Sequence, residues 1–448
     1  MKKKDPKKVW IGPIEIAGYY NNLSQGFKAI GIHHDYATFT PHPFKYGEEK
    51  NENKDVLLKI IKQLTHKRVE KPCLPIMVKL LLAGAAEFFK IIYFVKCLLH
   101  YDVFIFGFGH SLLTANMDIP ILRIAGKTVI MNLGHGSEVR PSYMDGAAQS
   151  PDGLVQPDAY GLYCRALASK RKIRFIEKHA NYIIGAPFSS TQFASQKMLN
   201  WFSIGIPYGM QPFVPVDDQN RGVDSDGFLD KKCLRILHSP SHPAAKGSAI
   251  IASAINNLRL KGYSIEFIEL RNRPNSEVLE EIKSCDFVVD QIYSDTPMAG
   301  FATEAAWYGK PAVVGGYGFE YLKEKLSAEM YPPSHTCHPD EIEDAIEFLI
   351  NHPDYRQMLG KQAQAFVTSH WTVQKVAERY FCLMEGRVPA TWWIDPLKVF
   401  YLHGGGQSEK QTKDNIRKMV RAFGVSSLQL SHRPYLEKEA LKFAGMEP

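Results

Sequence analysis

The chain has 448 residues and a formal net charge of +7, with 45% hydrophobic and 23% charged residues. That is the balance of a globular protein large enough for two domains. The mild positive surplus comes without the basic, aromatic-interleaved motifs of nucleic-acid binders, so no nucleic-acid partner is expected. Seven cysteines, none in a Cys-x-x-Cys pair, argue against a disulfide framework and for reduced thiols in a cytoplasmic protein.

The basic start, MKKKDPKK, runs into only a short apolar segment and does not read as a signal peptide. Residues 8–11 read as a strand, 12–18 as a loop holding Gly12 and Gly18, and 19–30 as a helix with Tyr19, Leu23, Phe27 and Ile30 on one face. This Rossmann-like opening lacks Gly-x-Gly-x-x-Gly, so no dinucleotide fingerprint is present. A strand over 33–39, a polar loop over 40–55 and helices over 56–64 and 75–100 follow. The second of these helices is apolar on nearly every face, Lys79, Lys90 and Lys96 excepted. Core packing is its expected role, with a membrane-facing or partner-facing helix as the alternative. The apolar region 74–108 also carries Glu87, His100 and Asp102, too many charges for a spanning helix.

Strands over 102–106 and 127–131 are each followed by a Gly/His loop: Gly107-Phe-Gly-His110, and 132–140 with His135, Glu138 and Arg140. Loops after two parallel strands lie on one sheet edge, where ligands of open α/β sheets bind. A helix over 162–179, a strand over 182–184, a helix over 189–200 and a strand over 201–206 complete a first domain, 1–207. Residues 208–232, rich in Pro, Gly and Asp, read as a linker. Asp224-Ser-Asp226 within it imitates a metal-binding Asp-x-Asp but reads as solvated turn residues.

A second domain, 233–385, restarts the alternation: strand 234–237, loop 238–247 with His242 and Lys246, and helix 248–260 with Ser248 as its cap. Strand 264–270, helix 275–284 and strand 287–292 continue it. A loop with Asp295, Pro297 and Gly300 then leads into a helix over 303–308 and a strand over 312–314, a compact βαβ unit. Glu304 is expected in the first turn of that helix, where a carboxylate suits the dipole. The amides near Gly300 and Phe301 could face a ligand's phosphates while Glu304 faces its hydroxyls. Helices over 340–350, 355–369 and 373–385 close the domain. Residues 386–448 form a C-terminal helical tail, expected to be a packing arm. His238 with His242, and His335, Cys337 and His338, have no full ligand set nearby, so no metal site is expected.

Residues 287–314 resemble the donor-site signature of GT-B glycosyltransferases, especially the large retaining family that includes sucrose and lipopolysaccharide mannosyl and glucosyl transferases. Gly300-Phe-Ala-Thr-Glu304-Ala, then Gly309-Lys-Pro311, stand where that family has Gly-Phe-Gly-x-x-x-Glu-Ala and Gly-Lys-Pro-Val. The family's first Glu falls at Thr296. Lys246-Gly247 resembles the family's Lys-Gly that grips the donor diphosphate, and His135-Gly-Ser-Glu138 with Arg140 resembles a His-Gly-Ser-Asp-x-Arg segment.

The resemblance implies an α/β GT-B fold, two Rossmann-like domains facing across a cleft, and sugar transfer from a nucleotide sugar to a hydroxyl of a glycan, lipid-linked or small-molecule acceptor. Retention, no metal and no cofactor beyond the nucleotide-sugar co-substrate go with it. It assigns His135 and Glu304 to catalysis. Lys246, His242, Gly300, Phe301 and Glu304 fall to the donor, and Gly12, Gly18, His110, Glu138 and Arg140 to the acceptor. Expected partners are the nucleotide sugar and a glycan or lipid-linked acceptor, with a peripheral contact at the inner membrane face. The alternatives are a nucleotide-sugar epimerase, or a non-catalytic transferase-like subunit that binds a glycan or a partner, the reading kept open by Thr296.

Overall fold

A computed structural model describes residues 6–40, 55–70, 75–209 and 233–447. The described strands are β1 (Val9–Ile11), β2 (His34–Tyr36), β3 (Val103–Gly107), β4 (Thr128–Leu133), β5 (Tyr182–Gly185), β6 (Met198–Asn200), β7 (Leu234–His238), β8 (Ile265–Glu269), β9 (Phe287–Ser294), β10 (Ala312–Gly316), β11 (His335–Cys337) and β12 (Trp393–Ile394). The chain divides into two compact units, Met1–Pro207 with Trp371–Pro448, and Tyr208–His370. Beyond residue 209 the expected linker, with Asp224 and Asp226, lies outside the described residues. Cys97, Cys164, Cys233, Cys285, Cys337 and Cys382 are all unpaired thiols.

The first unit is built on a seven-stranded sheet in the order β12-β6-β5-β4-β3-β1-β2. All neighbours are parallel except β12, which pairs antiparallel with β6. β1 (VWI) and β3 (VFIFG) are buried at every position, the continuous apolar run of a strand covered on both faces. The second unit has five parallel strands in the order β11-β10-β9-β7-β8. Its core joins Ile236, Phe287, Val289 and Val313 of the sheet to Ile251, Ile255 and Leu258 of the helix Ser248–Leu260 and Ile346 of the helix Ile342–Asn351. The fold class is therefore α/β, with one sheet parallel but for β12 and one parallel throughout.

The arrangement of elements departs from the sequence reading at several places. The helix expected over 189–200 and the strand over 201–206 exchange roles: 198–200 is strand β6, and Trp201–Ile204 is a single helical turn. The Asn200 side chain accepts from the Phe202 amide at 3.1 Å and starts that turn. Gly205, at φ +86°, ends it.

The helix Val373–Met384, expected to close the second domain, belongs to the first unit. Val376, Ala377, Tyr380 and Leu383 are fully buried, and the helix packs on Tyr19–Ala29. Gly26 makes this approach possible, since a Cβ there would fall 2.1 Å from the Val373 carbonyl oxygen.

The tail is likewise part of the first unit. β12 extends its sheet, and Tyr401 stacks on Phe188 with ring centroids 3.8 Å apart. Residues 404–406 lie against 144–146, with the Gly146 amide donating to Gly405 O at 2.9 Å and the Gly405 amide to Met144 O at 3.0 Å.

Finally, the helix Ile76–His100 buries only Ala86, Tyr93, Phe94 and Cys97. Ile76, Met77, Leu80, Leu81, Phe88, Ile91, Val95 and Leu99 among others are exposed, contrary to the core role expected of it.

Candidate functional site at the two sheet edges

In each sheet the order reverses beside its first strand. β1 has β2 on one side and β3 on the other, and β7 has β8 and β9. The chain leaves such a strand in opposite directions, opening a crevice at the carboxyl ends where α/β ligands bind. The loops after β1, β3 and β4, and those after β7 and β9, are therefore the places to look, and each edge is described by itself.

At the edge of the first unit a polar cluster fills the crevice. The Glu15 carboxylate accepts from the amides of Ile16, Tyr20 and Asn21 at 2.7, 3.2 and 2.8 Å and from the Tyr36 hydroxyl at 2.6 Å. Burial pushes its pKa up to about 7 against those hydrogen bonds, which pull it down. The fully buried Tyr20 extends over the end of β3, where a Cβ on Gly107 would fall 1.8 Å from its hydroxyl. That hydroxyl lies 2.8 Å from His135 Nε2. Tyr19 and Tyr20 meet the imidazole edge-on, with centroids 5.1 and 5.6 Å away. Burial lowers the His135 pKa to about 3, so the ring is neutral at physiological pH.

The His135 amide donates to Glu138 Oε1 at 2.8 Å. Glu138 is buried, its Oε2 has no hydrogen-bond partner among the described residues, and burial pushes its pKa up to about 7 despite the amide bonds and the nearby Arg140 and Lys172. Arg140 is also buried, with Nη1 2.9 Å from Asp145 Oδ1. It lies against the tail, where a Cβ on Gly405 would fall 2.9 Å from Nη2. Its Nη1 contact with Asp145 ties two positions of the 135–146 loop together. Gly12 faces the Ala37 carbonyl, Gly18 precedes the first turn of Tyr19–Ala29, and His110 is exposed beside the crevice. His135, Glu138 and the Gly12–Gly18 loop thus converge. Arg140 stands behind them.

At the edge of the second unit the polarity is mostly backbone. Lys246 ends the short helix Pro243–Lys246, and Gly247, at φ +74°, opens Ser248–Leu260. A Cβ at Gly247 would fall 2.9 Å from Ile292 Cδ1, so glycine brings this helix entry close against β9. Ser248, the expected cap, instead bonds through its hydroxyl to His238 Nε2 at 2.8 Å. His242 caps Pro243–Lys246 by accepting from the Ala245 amide at 3.1 Å.

The helix after β9 spans Gly300–Trp307, so Glu304 stands in its second turn and not its first. Gly300 and Phe301 are its first two residues, whose amides have no intrahelical acceptor. Glu304 is buried and accepts from Asn275 Nδ2 at 2.8 Å. Lys246 Nζ lies 3.4 Å from Oδ1 of Asp290, a buried β9 carboxylate whose Oδ2 has no hydrogen-bond partner among the described residues. Thr296 binds within its own loop, its amide donating to Ser294 Oγ at 3.2 Å and its hydroxyl to Met298 O at 3.3 Å.

Glu15, Tyr20, Tyr36 and Asn275 are not singled out by sequence. Glu15 alone had a local signal, a carboxylate between isoleucines in a Gly/Pro loop after the first strand. Among the described residues no three His, Cys, Asp or Glu side chains converge as a metal-ligand set. No described helix is long and apolar enough to cross a membrane.

No protein-family model matches the chain, and no curated protein matches it. Solved structures do. HepE of Anabaena in complex with UDP-glucose matches at 12% identity and a TM-score of 0.46, covering 85% of this chain and 100% of that one. The glycotransferase of kitacinnamycin matches at 12% identity and a TM-score of 0.41, covering 86% and 100%. The glycosyltransferase SnogD from Streptomyces nogalater matches at 10% identity and a TM-score of 0.37, covering 85% and 100%. TM-scores below 0.5 at such identities do not assign an activity to the chain.

Proposed function

We propose that the protein is a GT-B glycosyltransferase that moves a sugar, with retention, from a nucleotide sugar to a hydroxyl of a glycan, lipid-linked or small-molecule acceptor. The observation that carries this reading is the β7/β9 edge. Two helix entries, Gly247–Ser248 and Gly300–Phe301, follow adjacent strands, and Lys246 immediately precedes the first of them, with its Nζ 3.4 Å from Asp290 Oδ1 on β9. Free amides, helix dipoles and an ammonium at one crevice form a receptor for a diphosphate. Glu304, oriented by Asn275, would accept from ribose hydroxyls.

In this reading the departing nucleotide diphosphate is stabilised by Lys246 and the helix entries, and transfer needs no metal. His135, neutral and held by Tyr20, bonds a hydroxyl of the transferred sugar. Glu138 and the Gly12–Gly18 loop line the acceptor side, and Arg140 acts by fixing the loop that carries His135. The setting is cytoplasmic, with a peripheral contact at the inner membrane face.

A second reading, a non-catalytic subunit that binds a nucleotide sugar or glycan, is favoured by one observation: Thr296 stands where the resembled family has a carboxylate, and its hydroxyl is bonded within its own loop. Calorimetric titration with UDP, GDP and ADP sugars, followed by mass spectrometry of the products, tests both. Binding with slow hydrolysis or transfer supports the transferase. Binding without turnover on any acceptor supports the subunit. An epimerised donor formed without acceptor would point to an epimerase, and no nucleotide binding at all would sink the donor-site assignment.

A further inference from the structure

The helix Ile76–His100 is 25 residues long, about 37 Å at 1.5 Å per residue. Met77, Leu81, Phe88, Ile91, Val95 and Leu99 recur on one face at spacings of three, four or seven, with exposures running from 47% at Val95 to 81% at Leu99. Leu80 and Ile92 widen the stripe on either side. No charge interrupts it. Lys90 turns inward, paired with Glu87 at 3.3 Å and 5.5 Å from the Phe39 ring centroid. A monomeric protein rarely leaves so long an apolar strip in water.

The strip does not end with the helix. Glu87, on its margin, accepts from both the amide and the hydroxyl of Thr114 at 2.8 Å. This anchors the segment that leads into the helix Asp118–Ile124, where Met117, Ile121 and Ile124 form a second exposed apolar ridge. Asp118–Ile124 in turn packs against Ala159–His179. There Arg171, Arg174 and Lys178 are exposed one helical turn apart, and Arg123 is exposed between Ile121 and Ile124. Apolar helix, apolar ridge and basic helix follow one another across the surface of the first unit.

We infer that this face is a docking surface for an anionic lipid bilayer, with the apolar side chains entering the headgroup–acyl boundary and the Arg/Lys margin meeting lipid phosphates. Three features favour a membrane over a second copy of the chain or another helix. The stripe from Leu80 to Ile92 is broader than the two-position seam of a helix pair. The apolar surface spreads over two elements rather than one. The exposed charges named on Asp118–Ile124 and Ala159–His179, Arg123, Arg171, Arg174 and Lys178, are all basic and complementary to an anionic leaflet, while Glu87 on the margin is paired with Lys90. The inference rests on the membrane contact included in the transfer reading, whose surface and lipid charge it identifies, and not on the transfer chemistry, so vesicle binding and turnover fail separately.

Vesicle co-flotation of the full chain tests it, using phosphatidylcholine vesicles with and without phosphatidylglycerol. The expected result is binding to the anionic vesicles, weakened by salt. A triple variant, Leu81→Gln, Phe88→Gln and Ile91→Gln, should lose more than about a hundredfold in partitioning, since each fully buried large apolar side chain is worth roughly tenfold or more. Because these positions face water, its thermal midpoint and nucleotide affinity should match the parent chain. Arg171→Glu with Arg174→Glu should abolish the preference for anionic over neutral vesicles. Absence of vesicle binding, or binding that the triple variant leaves intact, overturns the proposal. A dimer in solution that the triple variant dissociates, with no vesicle binding, would assign the face to a second copy of the chain instead.

Discussion

At the β1/β3 edge the crevice is filled with side chains bonded to one another, Glu15 to Tyr36 and Tyr20 to His135, with Glu138 accepting from the His135 amide. At the β7/β9 edge the corresponding space is bordered by helix entries, with Lys246, Asp290 and the Asn275–Glu304 pair as the nearby charged and polar side chains. The two edges share a topology and differ in where their polarity is stored. Polarity carried by buried side chains is tunable and titratable, as the raised carboxyls and depressed imidazole of the first unit illustrate. Polarity carried by backbone amides is fixed at neutral pH and suits a ligand whose charge does not change. The first edge therefore reads as the place for hydroxyl and proton chemistry, and the second as a place to hold an anion.

The largest expected effect is on turnover. His135→Ala should lower the transfer rate by about a hundredfold or more, the scale of a lost positioned acid–base or hydrogen-bonding group, while nucleotide affinity measured by calorimetry stays unchanged. If affinity fell in step with rate, the division of labour between the edges would be wrong.

Stability against pH comes next. The Glu138 carboxyl titrates near 4.5 unfolded and about 7 folded. The folded chain therefore holds a proton that the unfolded chain has lost, and stability falls as pH rises from the lower value through the upper. Removing the titration by Glu138→Gln should abolish this fall, an effect of roughly 3 kcal/mol as an upper bound. His135 has the opposite sign, costing stability as pH drops below its unfolded value, and Glu15 has the same sign as Glu138. Both remain in the variant, so subtracting the two pH profiles isolates residue 138. Identical slopes in urea titrations between pH 4.5 and 7 would contradict the burial argument.

Lys246→Ala and Glu304→Gln should each weaken nucleotide binding by roughly ten- to a hundredfold, the cost of about 1.5–3 kcal/mol for a charge-assisted hydrogen bond. Unchanged binding in both would remove the second edge from the comparison. Asp290→Asn probes the same ammonium from the other side. In the ligand-free chain Asp290 competes with any anion for Lys246, so the neutral variant should bind inorganic pyrophosphate several-fold more tightly. Weaker binding would instead make Asp290 the residue that aims Lys246. The smallest effect is expected from chelation: the transfer rate should be unaltered in excess EDTA, and loss of activity restored by Mg2+ or Mn2+ would show that amides and Lys246 do not suffice.

Much of this arrangement was legible in sequence because it is local. The alternation after residue 233, the loops after the strands at 102–106 and 127–131, and the helix bearing Glu304 follow from apolar runs punctuated by Gly and Pro. The exchange at 198–204 was not legible, because a three-residue strand and a single turn hold too few residues to display a period. Nor could pairings between distant segments be read. Asn275 meets Glu304, Lys246 meets Asp290, and Gly405 lies over Arg140 only once the chain is folded. Arg140 is the clearest case: as a residue type it suggests anion recognition, and only the folded chain sets its Nη1 2.9 Å from Asp145 Oδ1.

Because the first unit is assembled from Met1–Pro207 and Trp371–Pro448, while Tyr208–His370 is continuous, the two cannot mature on the same schedule during synthesis. The second unit has every residue it needs before the segment from 371 onward is translated, and domains fold as units when their chain is available. The first must wait. Until β12 emerges, β6 presents an unpaired sheet edge, and until the helix Val373–Met384 arrives, the apolar face of Tyr19–Ala29 that receives it is bare. Such edges recruit other chains, so the nascent protein passes through an interval in which its earlier-made half is the more vulnerable to aggregation and the better client for a chaperone.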